Sequence, residues 1–234
     1  MTGLRARVRA ELTAEIKRLA REQVEQQSAA SLSLRAIARE LGMASSAIYR
    51  YYPSRDDLLT ALLVDAYNEL GEAAEAADAA TDPRDPVARF RAVGRAAYGW
   101  ARRHPSQYSL LFGTPVPGYA APPDTIGPAT RFTLVLIGVL GEVAGQGRRP
   151  AVEPAVPPAV AADLAAVRAG TGTVADDALL LAGMQVWTAL FGAISFILFG
   201  QFTNVVSDVD AMFDSMVDVL AQQIVGAEPV LSPS

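Results

Sequence analysis

Apolar side chains recur along this chain at three- and four-residue intervals, and the strict alternation that marks strands is scarce. Val8, Leu12, Ile16, Leu19 and Val24 form one stripe over residues 8–27 against a charged remainder, the pattern of a helix with a single buried face. Leu34, Ile37, Ala38 and Leu41 repeat the spacing over a shorter stretch, which Ser33 is placed to cap and Gly42 to end through a positive φ. A third helix is predicted to begin at Ala44 or Ser45. Ser54 and Asp57 then have the spacing of a capping box after Pro53, opening a helix that carries Leu58, Leu59, Leu62, Leu63, Ala66 and Leu70 and fades near Ala80.

Asp85 and Pro86 introduce a helix with Phe90, Val93, Ala97 and Trp100 on one face, and Pro105 opens a short one holding Tyr108, Leu111 and Phe112. Residues 113–123 are a Pro/Gly loop, 124–143 a helix, and 145–158 a second proline-rich loop, followed by a short helix that ends at Gly170 and Gly172. Thr173 with Asp176, and Ser207 with Asp210, have capping-box spacing for two last helices, about 176–200 and 207–225. The expected fold class is all-α, with a three-helix helix-turn-helix domain over residues 1–53, a larger helical domain over 54–225 and a disordered tail over 226–234.

Residues 178–207 contain no charged side chain, a run long enough to span a bilayer. Gln185, Thr188, Ser195 and Gln201 interrupt it, and an amphipathic helix follows with Val209, Phe213, Met216 and Leu220 opposite Asp210, Asp214 and Asp218. Burial inside a helical dimer accounts for both helices together, so the expected partner here is a second copy and not a membrane.

Composition narrows the chemistry. The 234 residues contain no cysteine and one histidine, His104, which removes disulfides, thiolate zinc sites, cysteine nucleophiles and multi-histidine metal centres. There is no Gly-rich phosphate loop, so an enzyme is not expected, nor a cofactor or a metal. The basic amino terminus is followed by an amphipathic pattern and not an apolar secretory segment, which points to the cytoplasm. The net charge of −5 hides an asymmetry: residues 1–55 carry ten basic and five acidic side chains, leaving −10 on the remainder. A basic head on an acidic body concentrates attraction for a polyanion at one end.

The head also holds the motif that would use that attraction. Residues 33–42 and 43–52 place two short helices across a tight glycine turn, the arrangement that lays a second helix in a major groove of double-stranded DNA. Ile37, Leu41 and Ile48 would fill the seam, and Ser45, Ser46, Tyr49, Arg50 and Tyr51 would be offered outward, where such side chains reach phosphates and base edges. Arg5, Arg7 and Arg9 precede the first predicted helix as either an arm for phosphates or the minor groove, or a solvated tail.

The 28-residue stretch LSLRAIARELGMASSAIYRYYPSRDDLL resembles the helix-turn-helix of the TetR family of regulators. The resemblance implies that Arg35, Ser45, Ser46, Tyr49, Arg50 and Tyr51 face operator DNA and that Ser33 and Arg55 grip phosphate; Arg55 stands where the family usually has Lys, and Tyr52 where it usually has Phe. RRHPSQYSLLFGTPVPGY and WTALFGAISFILFG are similar to the carboxy-terminal domain of a TetR subgroup with a Trp-His-Gly motif, Phe191 replacing the histidine. That likeness implies a small-molecule ligand of unknown identity among Trp100, Tyr108, Phe112, Met184, Trp187 and Phe191, with His104 and Gln185 as polar contacts, and a homodimer through the last two helices. The function expected is a ligand-responsive transcriptional regulator, a repressor released from its operator by the ligand. The alternative is a dimeric small-molecule-binding helical protein that reads no specific DNA sequence.

Overall fold

Helix starts and stops fall where a side chain or a glycine satisfies the orphaned backbone groups of a helix end. A computed structural model of the chain describes residues 2–226; the tail expected at 226–234 lies, apart from Gly226, outside the described residues. The helices are α1 (Thr2–Gln26), α2 (Leu34–Glu40), α3 (Ser45–Ile48), α4 (Arg55–Ala79), α5 (Pro86–Arg103), α6 (Pro105–Phe112), α7 (Ile126–Gly145), α8 (Pro158–Thr171), α9 (Asp177–Leu198) and α10 (Val209–Val225), with no strand among the described residues.

Three caps act as expected. Ser33 accepts from the Ala36 amide, Ser54 accepts from the Asp57 amide at 3.1 Å while donating to the Asp57 carboxylate at 2.6 Å, and Gly172 ends α8 at φ +69°. Two others differ. The side chain that caps α9 is Asp176, which accepts from the Leu179 amide, and the one that caps α10 is Asp208, accepting from Ala211. Thr173 and Ser207 do not take the cap positions expected of them: the carboxylates three residues and one residue later are stronger acceptors for the first-turn amides, and Thr173 accepts from the Ala175 amide instead. At the amino terminus, Arg5, Arg7 and Arg9 are helical and not an extended arm. Alanine and arginine both favour helix, and Arg7 adds an i,i+4 pair with Glu11 at 3.0 Å.

The chain divides into two compact units, the first made of Met1–Glu69 and His104–Ala129. Its core is Ile16, Leu19, Leu34, Ile37, Ile48, Tyr52, Leu58, Leu59 and Leu62, all buried, with Leu110, Leu111, Val116 and Tyr119 packed against it. This unit takes in more than residues 1–53: the start of α4 and the whole of α6 share its core, and the Thr60 and Tyr119 hydroxyls lie 2.9 Å apart. Lys17 and Arg21 on α1 both reach Asp65 on α4 at 2.8 Å.

The second unit comprises Leu70–Arg103 and Thr130–Ser234. Phe90, Val93, Ala97 and Trp100 of α5 are buried, together with Val139 and Val143 of α7, Leu190 and Ile194 of α9, and Phe213, Val217 and Ile224 of α10. Helices α7 and α9 approach so closely that a Cβ built on Gly183 would lie 2.4 Å from a Leu140 methyl carbon. Helices α5 and α10 run antiparallel under a ladder of polar pairs: Arg91 with Asp218 at 2.7 Å, Arg95 with Asp214 at 2.7 Å, and Asp210 accepting from the Tyr98 hydroxyl at 2.6 Å and from Arg102. Single exposed pairs of this kind contribute little, but three of them along one face of each helix fix one register between the helices.

Tyr98 is stacked on Phe213 with ring centroids 4.1 Å apart. Burial, then the hydrogen bond to Asp210, pushes its phenol up to about 12, while the Tyr98 hydroxyl and then Arg102 hold the Asp210 carboxyl below its ordinary value. A depressed carboxyl stabilises the fold above its unfolded pKa of about 4 and ceases to do so as pH falls through the lower folded value. Thermal melts of Asp210→Asn should therefore lie below those of the unsubstituted chain at pH 7, and the gap should narrow as pH falls below about 4; a gap of constant size would contradict the account.

Candidate nucleic-acid interface

The turn between α2 and α3 has both bonds of a Schellman motif. Met43 donates to the Ala38 carbonyl at 2.8 Å and Gly42 to the Arg39 carbonyl at 3.1 Å, with Gly42 at φ +64°. Ile37 and Ile48 are fully buried in the seam and Tyr52 is nearly so, its phenol pushed upward first by burial. With the inner face committed to packing, the outer face of the pair is free for a ligand.

The structure puts most of the candidate DNA-facing residues on that outer face. Arg35, Ser45, Ser46, Tyr49 and Arg50 are exposed, and Tyr51 is half-buried against the core. Arg35, Arg39 and Arg50 have no ion-pair partner among the described residues. Arg39, missing from the sequence-derived set, lies one helical turn from Arg35, a spacing legible in the sequence. Ser33 is partly committed to its cap, and its amide donates to the Gln23 side chain at 3.1 Å.

Arg55 is turned inward. Its Nη2 donates to the carbonyls of Ala29 and Ala30 at 2.9 and 3.2 Å, tying the first residue of α4 to the short turn that precedes α2. Its Nη1 lies 3.5 Å from the Asp56 carboxylate and its Nε is buried, so the side chain is committed mainly to holding this turn.

The candidate ligand residues are divided between the units. Tyr108 is buried in the first, its ring centroid 5.0 Å from that of Phe112, and His104 sits at the entrance to α6. In the second, Trp100 is buried, Phe191 meets Phe132 edge to face at 5.1 Å and lies 6.1 Å from Trp187, and Met184, Gln185 and Trp187 are exposed. Phe132, the aromatic neighbour of Phe191, carried no sequence signal beyond its place on an apolar helix face.

An exposed basic edge on a helix pair locked by a glycine turn defines a DNA-binding helix-turn-helix protein. Two family descriptions match the chain: "Bacterial regulatory proteins, tetR family" over residues 16–62 and "Tetracyclin repressor-like, C-terminal domain" over residues 90–220. The HTH-type transcriptional regulator Rv1816 of Mycobacterium tuberculosis is 40% identical over 93% of this chain and 94% of its own length. The crystal structure of the regulatory protein SCO4313 superposes with a TM-score of 0.76 at 33% identity, covering 92% of this chain and 97% of that one. The regulator PfmR of Thermus thermophilus shares the fold at 18% identity with a TM-score of 0.57, over 89% of this chain and 98% of its own. The chain belongs to the TetR family of bacterial transcriptional regulators, DNA-binding proteins and not enzymes.

Replacing Arg55 with Met should cost about 1–2 kcal/mol in denaturant-induced unfolding, the size of a charge-assisted bond lost to backbone. Amide exchange over residues 28–33 should quicken; unaltered exchange there would show that the guanidinium does not hold the turn.

Proposed function

We propose that the chain is a cytoplasmic homodimeric repressor that leaves its operator when a small molecule binds its carboxy-terminal region. The observation that carries the DNA half is the outer face of α2 and α3: Arg35, Ser45, Ser46, Tyr49, Arg50 and Tyr51 offer donors and a π-face around three guanidinium groups, while Ser33 and Arg55 frame the start of α2. Phosphate contacts set affinity and register, and the side chains of α3 read base edges. The amino-terminal helices through α3 supply recognition; the helices after them supply dimerisation and sensing.

Support for the dimer comes from α9 and α10. Met184, Trp187 and Phe196 on α9, Phe199 at its C-cap and Val219 on α10 are exposed apolar residues, with Phe196 54% exposed. Gly192 and Ala189 on the same arc of α9 allow close helix approach. Two such pairs related by a two-fold axis make a four-helix interface that covers these residues. α9 is also long and apolar enough to cross a membrane, and the dimer is the occupant this reading assigns to it. Light scattering on the purified protein should give twice the chain mass, and Phe196→Glu should lower it toward one; a monomer at tens of micromolar would remove the interface.

Within the second unit, Trp100 and Phe191 supply apolar wall for a ligand, while Met184, Gln185 and Trp187 serve the dimer face as readily as a pocket. Tyr108, Phe112 and His104 belong to the first unit, where Tyr108 is already part of a packed interior. Phe191, in place of a histidine, favours an apolar ligand.

The DNA reading is tested by enriching a random duplex pool on the full-length protein and measuring binding to the enriched sequence at several salt concentrations. A near-palindromic sequence should emerge, with binding that weakens steeply with salt. Replacing both Tyr49 and Arg50 with Ala should weaken it at least tenfold, as each good base contact is worth ~1–3 kcal/mol. Absence of enrichment would favour the dimeric small-molecule binder that reads no DNA.

A further inference from the structure

We infer that Arg9 is a positioning residue for the recognition helix, clamping the end of α3 from α1; the inference rests on the operator-binding reading above. Because α1 extends back to Thr2, Arg9 sits on a continuous helix and is not part of a tail. Its guanidinium carbon lies 5.3 Å from the centroid of the Tyr51 ring, and its Nη2 donates to the Arg50 carbonyl at 3.3 Å. Both contacts fall just past Ile48, the last residue of α3, in the turn where the Arg50, Tyr51 and Tyr52 amides close back onto Ala47 and Ile48.

The ring of Tyr51 packs on the core of the first unit, so it has core on one side and a cation on the other. A cation over the face of a tyrosine is attracted to the ring quadrupole, and a charged donor to a carbonyl is among the stronger hydrogen bonds. Arg7, two residues earlier, is held by Glu11, whereas Arg9 has no carboxylate partner among the described residues and its charge is left for the ring and the carbonyl. Arg50 and Tyr51 are two of the residues assigned to DNA, so one arginine on α1 sets the backbone of the first and the ring of the second. The rival role for the same guanidinium is a direct grip on phosphate.

The two roles separate in a double-substitution cycle on the duplex enriched by the unsubstituted protein, read by fluorescence anisotropy over a salt series. Arg9→Ala should weaken binding about 3- to 10-fold, the scale of one exposed cation–π contact plus one charge-assisted bond. Against Tyr51→Ala, which leaves only the bond to the Arg50 carbonyl, the same change should cost clearly less than in the unsubstituted chain, and against Tyr51→Phe, which keeps the ring, the full amount. Arg9→Lys should recover most of the loss. Without DNA, amide exchange over residues 44–54 should quicken in Arg9→Ala while the global melting temperature moves little.

An equal loss with and without the Tyr51 ring, with the slope against log salt smaller by about one, would overturn the clamp in favour of phosphate. Unchanged exchange over residues 44–54 would overturn it irrespective of DNA. If no duplex is enriched, the operator reading falls and the role in recognition falls with it; the exchange comparison then still decides whether Arg9 holds α3.

Discussion

The left-handed turn at Gly42 is the constraint on which the recognition half depends. Two backbone bonds close around it, and together they set the angle at which α3 leaves α2. That angle is what allows Ile37 and Ile48 to be buried in one seam while Tyr49 and Arg50 remain outside. A side chain with a Cβ would meet no neighbour at this position, so glycine is required for its backbone conformation and not for space. The geometry of the outer face thus follows from a glycine reversal: apolar surface on one side is compelled inward, and Arg35, Arg39 and Arg50 on the other have no ion-pair partner among the described residues.

Much of this was legible because helix chemistry is local. The stripe from Val8 to Val24, the Ser33 cap, the Ser54–Asp57 box and the glycine stops each depend on residues within a turn of one another, and spacing reports such contacts directly. The displaced caps at Asp176 and Asp208 show the limit of the same reasoning: two acceptors within one turn satisfy the pattern, and only their geometry chooses between them. The amino-terminal arginines suggest an arm or a tail for a related reason, since basic charge points to a polyanion before helix propensity is weighed.

Long-range relations were not legible. Amphipathic spacing says which face of a helix is buried but not in which core, so nothing in the sequence assigned α6 to the core that contains the helix-turn-helix. Arg55 illustrates the point at a single residue. Its position marked a cation at the DNA surface, yet its side chain reaches carbonyls 25 and 26 residues earlier. Arg9 meets a carbonyl 41 positions away in the same fashion. The ladder between α5 and α10 lies between these extremes, because Arg91, Arg95 and Arg102 on one helical face and Asp210, Asp214 and Asp218 at four-residue steps on the other are visible in sequence, but their pairing required the fold.

The central claim is that two copies of this chain present paired recognition helices to one face of a duplex. Hydroxyl-radical footprinting on the enriched sequence tests it most directly. Protection should fall in two patches related by a dyad, their centres one helical turn of about 10–10.5 base pairs apart or a whole multiple of it. A single patch without dyad symmetry, or uniform protection independent of sequence, would contradict the account.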